Sequence, residues 1–178
     1  LFDDRWRAAL RAKDATALAT LAEDHALRYP KGSLTPYYRA EALLATGHPM
    51  LAINLLIPAV REPPPTPALL WHTLGRAYLD RSAFREAATA FEVAASRVAQ
   101  GDGTLMLVTD DPIITLNIHL GEAYLGMGPD RCVEAEAIFH RLSTAEPEYE
   151  GWVERAVVCQ TPTPTLTPWM PVQTPLIP

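Results

Sequence analysis

Five histidines are the side chains best suited to acid–base or metal chemistry in this 178-residue chain. They are His25, His48, His72, His119 and His140. None forms a metal-binding motif with a cysteine or a carboxylate, such as the H-E-x-x-H pattern of zinc enzymes. His119 and Glu122 are three residues apart and would share a helix face, but a single pair of this kind is typical of a binding-surface contact. The histidines therefore predict no metal centre.

Three aspartates, Asp102, Asp110 and Asp111, fall in one segment and carry the oxygen ligands that calcium prefers. Their spacing does not match a calcium-binding loop, and capping of the following helix already accounts for Asp111. The sequence has neither a glycine-rich phosphate loop nor a G-x-S-x-G nucleophile motif. We therefore expect a protein that is not an enzyme and has no cofactor. An enzyme or ligand-binding protein that uses the histidines or the aspartates is the alternative.

The two cysteines are candidates for a disulfide. Cys132 lies at the start of one predicted helix and Cys159 at the end of the next. If these helices are antiparallel, the start of the first and the end of the second lie at the same end of the helical hairpin, so the two cysteines are close together. Two free thiols, buried or half-exposed, are the alternative. A disulfide would indicate an oxidising compartment.

The composition excludes two classes of partner. The chain has 21 acidic and 15 basic residues and a net charge of −6, whereas nucleic acids and anionic membranes require a basic footprint. It has no run of about 18 apolar residues, the length that a membrane-spanning helix needs. Its 48% hydrophobic content is sufficient for one domain core.

Prolines mark the limits of the predicted helices. Six of the 17 prolines lie in the last 18 residues, and the other eleven are expected between stretches in which apolar residues recur at spacings of three and four. Thr35, Thr66 and Asp111 each precede a proline and are expected to cap a helix. The one stretch with strand character is 104–108. The predicted helices are 3–12, 15–28, 36–46, 50–60, 67–80, 83–99, 112–125, 130–144 and 148–159.

A repeat with a period near 34 residues runs through the chain. Its best copy, 68–101, contains Trp71, Leu74, Gly75 and Tyr78, followed by Ala87, Phe91 and Ala94. This resembles the tetratricopeptide repeat, W-x2-L-G-x2-Y followed by A-x3-F-x2-A and then proline, with Ala99 in place of the last proline. The copy at 33–66 keeps Ala40, Gly47, Ala52, Leu56, Ala59 and Pro64 in phase, and the copy at 114–147 keeps Leu120, Gly121, Tyr124, Ala135, Phe139 and Pro147.

The resemblance implies an all-α fold, a right-handed α-solenoid of antiparallel helical hairpins with about nine helices. A helical repeat domain would span 1–160, with 1–32 as a degenerate hairpin and 148–160 as a capping helix. Residues 161–178 would form an extended tail that is rich in threonine and proline.

The resemblance also implies a concave peptide-binding groove lined by the first helix of each hairpin. Tyr38, Arg76 and Glu122 are expected to be exposed there. The groove lacks the cluster of Lys, Arg and Asn with which related domains clamp a C-terminal carboxylate, which argues against a receptor for chaperone tails. The matching positions are Leu34, Tyr37, Tyr38, Glu41, Leu69, His72, Thr73, Arg76, Thr115, Ile118, His119 and Glu122, of which Leu34, Tyr37 and Ile118 equally fit packing between hairpins.

The tail, 161–178, has no charged residue and favours the extended polyproline conformation. Proline-rich segments dock on aromatic-lined grooves, and Tyr37 and Tyr38 are the predicted acceptor. Contact with its own groove would give a self-blocked monomer, whereas contact with a neighbouring copy would be head to tail and would build rings or filaments. A linker or an O-glycosylated stalk, modified at Thr161, Thr163, Thr165 and Thr167, is the alternative. The predicted tail anchors are Leu166, Trp169, Met170, Val172, Leu176 and Ile177.

Taken together, these patterns predict a self-assembling subunit of an extracellular fibre or surface layer. The first residue is leucine rather than methionine, from which we expect a processed product or a fragment. The alternative is an adaptor, cytoplasmic or periplasmic, that binds a peptide or partner protein in a hetero-complex.

Overall fold

The computed structural model describes residues 2–62, 66–145 and 147–160, and within these ranges helices, joined by turns and short loops, are the only regular secondary structure. The prediction of an all-α protein is confirmed. The predicted tail, 161–178, and its anchor residues lie outside the described residues. The α-helices within the described ranges are α1 (Phe2–Ala12), α2 (Ala15–Arg28), α3 (Thr35–Ala45), α4 (Pro49–Arg61), α5 (Ala68–Leu79), α6 (Phe84–Ala99), α7 (Pro112–Gly126), α8 (Cys132–Ala145) and α9 (Glu150–Gln160).

Each predicted helix lies within two residues of an observed one at both ends. Helices α8 and α9 begin later than predicted because the prolines before them open short 3-10 turns, Pro129–Arg131 and Pro147–Tyr149. The strand character expected at 104–108 is wrong, since Thr104–Leu107 forms a 3-10 helix. The Asp102 carboxylate accepts hydrogen bonds from the backbone and hydroxyl of Thr104, which starts this turn.

The rule that prolines lie only between helices fails at Pro58, which is inside α4. A proline here removes the backbone hydrogen bond to residue 54. Asn54 and Pro58 are both exposed, so water can satisfy the freed carbonyl. The helix therefore continues to Arg61.

Helix capping follows the prediction at one of three positions. The Asp111 carboxylate accepts hydrogen bonds from the first amides of α7, as predicted. Thr35 instead lies within α3 and donates to the Tyr29 carbonyl at 2.6 Å. Thr66 accepts a hydrogen bond from the Trp71 indole at 2.9 Å and makes no side-chain cap for α5.

The first turn of α5 is capped from the 3-10 segment, 102–107. The Asp102 carboxylate accepts from the Ala68 amide at 2.9 Å, and the Thr104 hydroxyl accepts from the next amide at 3.2 Å. The same segment receives the Arg7 guanidinium of α1, which donates to the carbonyls of Met106 and Leu107 at 3.0 Å each. One segment therefore fastens α1 to α5.

The helices pack mainly on their neighbours along the chain. From α2 to α9 each helix contacts the next, and α3, α5 and α7 also contact one another in turn. Buried residues from α1 to α9 form a single core cluster. Neighbour packing of this kind brings residues of α5, α7 and α9 to one side of the molecule, where they line a cleft.

One close contact occurs twice, at equivalent positions of two helix pairs. A Cβ atom at Gly75 of α5 would lie 2.5 Å from the Phe91 ring of α6. A Cβ atom at Gly121 of α7 would lie 2.5 Å from the Phe139 ring of α8. Both phenylalanines are fully buried, so each ring occupies the space that only a glycine leaves free.

Gly75→Ala is expected to destabilise the protein by about 1–2 kcal/mol, because overpacking against Phe91 outweighs the gain of about 1 kcal/mol in helix propensity. The free energy of unfolding in urea measures the effect. Gly151→Ala is the matched control, since a Cβ there meets nothing within 4 Å in α9. Equal stabilities of the two variants would show that the ring moves aside without cost.

Candidate functional site

A cleft of about 470 Å³ lies between α5, α7 and α9. Its walls combine charged and aromatic side chains. Arg76 lies in the last turn of α5 and Asp80 caps its C-terminal end, and Trp152 and Arg155 share a face of α9. The residues that line the cleft are Arg76, Leu79, Asp80, Phe84, His119, Glu122, Leu125, Gly126, Trp152 and Arg155.

The cleft carries two guanidinium groups and two carboxyl groups. Burial raises the pKa of Asp80 and of Glu122, and the guanidinium groups of Arg76 and Arg155 respectively oppose these shifts. The Arg155 guanidinium lies 4.2 Å from the centre of the Trp152 ring, a cation–π contact that holds it at the wall. Such a surface can pair with charged side chains of either sign and with backbone amides.

The Arg76 guanidinium is held in place by a buried carboxylate of α3. The Glu41 side chain of α3 is 3% exposed, and it accepts hydrogen bonds from Arg76 at 2.7 Å and from the Thr73 hydroxyl at 3.1 Å. The Glu41 carboxylate raises the pKa of Arg76 further. The guanidinium is thus charged and fixed, with part of its surface open to the cleft.

Two histidines form a pair beside this network. His72 Nε2 and His119 Nδ1 are 3.0 Å apart, and both rings pack on Phe91, with centroid separations of 5.8 and 5.4 Å. Burial lowers the pKa of His119 to about 4 and that of His72 well below its ordinary value, and the nearby Arg76 charge lowers both further. Both rings are therefore neutral at pH 7, with one donating a hydrogen bond to the other.

The histidine pair is not part of a larger ligand set in the structure. Among the residues described, no three or more His, Cys, Asp or Glu side chains come together as metal ligands do. His119 and Glu122 both line the cleft, as their spacing predicts. No side chain of this cleft has the activated-nucleophile arrangement of a covalent catalyst.

Half of the predicted groove residues are buried. Tyr37, Tyr38, Glu41, Leu69, His72 and Thr73 are each at most 4% exposed. Half-buried positions are Leu34, Arg76, Thr115, Ile118, His119 and Glu122. The structure brings Arg76, His119 and Glu122 together in the cleft.

The expectation that Tyr38 is exposed is wrong. The prediction that Tyr37 and Tyr38 form an open surface on which the tail docks is also wrong, because both are buried. Helix α1 covers both rings: Trp6 and Phe2 pack edge-on against Tyr38 at 4.8 and 5.2 Å between centroids. The Trp6 indole also donates a hydrogen bond to the Tyr37 hydroxyl at 2.8 Å. An aromatic cluster closes this end of the predicted groove.

The sequence reasoning missed the residues that α9 contributes. Trp152 stacks on Phe139 at 5.1 Å, which seats the helix against α8 and turns Arg155 toward the cleft wall. Trp152 and Arg155 are three residues apart, a spacing that places both on one face of a helix and could have indicated a shared surface. Asp80, one turn after Arg76, carried the same kind of signal.

The two cysteines form a disulfide in the structure. The bond joins the first residue of α8 to the last turn of α9, with the Cα atoms of Cys132 and Cys159 5.8 Å apart. Cys132 is fully buried. The disulfide therefore fixes α9, which carries one wall of the cleft.

No protein-family model, curated protein or solved structure matches this chain. The resemblance to tetratricopeptide repeats therefore stays a prediction that rests on the residues themselves. In the described part of the chain, no helix has the length and apolar content needed to cross a membrane.

Proposed function

We propose that this chain is a non-catalytic protein-interaction module, a tetratricopeptide-like α-solenoid that binds an extended segment of a partner protein. The cleft between α5, α7 and α9 carries the proposal. It is lined by the first helices of two successive predicted hairpins, and its two guanidinium groups are positioned, that of Arg76 by the buried Glu41 carboxylate and that of Arg155 by the Trp152 ring. Pre-positioned groups of this kind bind with a smaller entropic cost than mobile ones.

The repeated glycine–phenylalanine contact and the successive contacts of α3, α5 and α7 support the solenoid arrangement. In such an arrangement the first helices line one continuous face. The disulfide supports a location in an oxidising compartment, which we propose to be extracellular or at the cell surface.

A peptide selection tests the cleft. A random dodecapeptide library displayed on phage is panned on the full chain, and enriched peptides are measured by fluorescence anisotropy. We expect Arg155→Glu to weaken their binding about tenfold, because it reverses one charge in the wall of the cleft. Arg155 is exposed, so the fold should tolerate the change.

Arg141→Glu is the matched control, since Arg141 is an exposed arginine of α8 outside the cleft. Peptides that bind both variants as tightly as the unchanged protein would overturn the assignment of the cleft. Failure of any peptide to be enriched would argue against a peptide-binding module.

A further inference from the structure

A second groove, of about 360 Å³, runs between α4 and α6 with α5 as its floor. Trp71, Leu74 and Tyr78 follow one another at spacings of three and four, so they share one face of α5. Ile57 of α4 and Ala90 of α6 complete the apolar lining. The exposed side chains of Arg61, Arg85 and Glu86 lie at the rim of this groove, whose interior lining is aromatic and apolar.

The polar edge of Trp71 already has its partner. Its indole donates to the Thr66 hydroxyl at 2.9 Å, and the residue remains half-buried at the groove. Tyr78 is likewise half-buried. Two aromatic side chains that are open on one side are the feature that proline-rich ligands recognise.

We propose that this aromatic groove is the docking site of the chain's own C-terminal segment, 161–178. The inference rests on the proposed function, since it names one partner of an interaction module. The segment has six prolines, no charge and several large apolar residues, including Leu166, Trp169 and Met170. Its chemistry matches an aromatic apolar surface.

The charged cleft is a poor acceptor for the same segment. An uncharged, proline-rich chain has few donors with which to pair the half-buried carboxyl group of Glu122 in the cleft, and burial of an unpaired charge is costly. The charged side chains beside the aromatic groove are all exposed, so they can stay in water when the segment docks. The segment begins directly after Gln160, at the end of α9. Extended at about 3.1 Å per residue, it reaches on the order of 55 Å, enough to cross several packed helices.

Photo-crosslinking on the full chain tests the docking. Benzoylphenylalanine is placed at position 169 in place of Trp169, and the crosslinked peptides are identified by mass spectrometry. We expect crosslinks to residues of the aromatic groove. A product of monomer mass means that the segment occupies its own copy's groove, and a product of dimer mass means a neighbour's; both support the proposal.

Ile57→Lys is expected to lower the crosslink yield about tenfold, because it places a charge in the apolar lining. Thr89→Lys, at an exposed position on the rim, gives a second variant that leaves the core untouched. Leu51→Lys is the matched control, since Leu51 is 52% exposed on the same helix and lies outside the groove. Circular dichroism checks that each variant is folded.

Crosslinks that map to the charged cleft, or yields that do not change in Ile57→Lys and Thr89→Lys, would overturn the proposal. The proposed function is tested separately, because peptide binding in the cleft depends on Arg155 and not on Ile57. Loss of segment docking with retained Arg155-dependent binding would leave the interaction module standing.

Discussion

Arg76→Ala is expected to lower the free energy of unfolding by about 3–5 kcal/mol, because it leaves a buried carboxylate without its charged partner. The carboxylate is that of Glu41, which is 3% exposed and lies 2.7 Å from the guanidinium. Thr73 supplies one remaining hydrogen bond, which cannot replace the lost charge. Urea unfolding at pH 7, followed by circular dichroism, measures the change.

Arg39→Ala is the matched control for this prediction. Arg39 pairs with Glu23 at 3.6 Å, and both side chains are well exposed, at 45% and 67%. Loss of such a surface pair costs about 0–1 kcal/mol. Adding Glu41→Gln to Arg76→Ala should recover part of the stability, since the buried charge is then removed. Similar losses in the two arginine variants would contradict the role of burial.

Acidification from pH 7 to pH 5 is expected to destabilise the protein through the paired histidines. The folded-state pKa of His119 is about 4, and that of an unfolded histidine is about 6.5. Between these values the unfolded chain binds a proton that the folded chain does not, so stability falls as the pH is lowered. The loss from His119 alone is about 2 kcal/mol at pH 5, and above pH 7 its contribution is constant.

Urea unfolding at pH 7 and pH 5 measures this dependence, with two variants to assign it. His119→Gln keeps a hydrogen-bonding side chain beside His72 but cannot take up a proton, so the loss of stability on acidification should be smaller. His140→Gln, at an exposed position of α8, should retain the full loss. Identical pH dependences in both variants would assign the effect to other groups.

The sequence predicted the helices well and the site only in part. Prolines and apolar spacing act locally, and for this reason the bounds of the described helices could be read from short windows to within two residues, although only one of the three predicted caps forms. The burial of Tyr38 could not, because it depends on Phe2 and Trp6 of α1, whose packing has no counterpart in the repeat pattern. The family resemblance supplied positions on α5 and α7, but the wall formed by α9 lies outside the best repeats.

Contacts between residues far apart in the sequence could not be predicted from it either. The Glu41–Arg76 pair joins residues 35 apart, close to one repeat period, yet neither residue belongs to the repeat signature. Asp102 appeared in the sequence as a weak calcium ligand, whereas its carboxylate caps α5. A carboxylate that serves a helix 34 residues away has no local pattern to identify it.

The attachment of α1 and α5 to one short segment, 102–107, affects how the protein is expected to unfold. In a stack of helices that contact only their neighbours, each end can fray independently of the middle. Here Arg7 holds the carbonyls of Met106 and Leu107, about a hundred residues along the chain, and the same segment holds the first amides of α5. Local unfolding of α1 therefore breaks contacts of the segment that caps α5. We expect the amino-terminal end and the centre of the molecule to unfold cooperatively rather than independently.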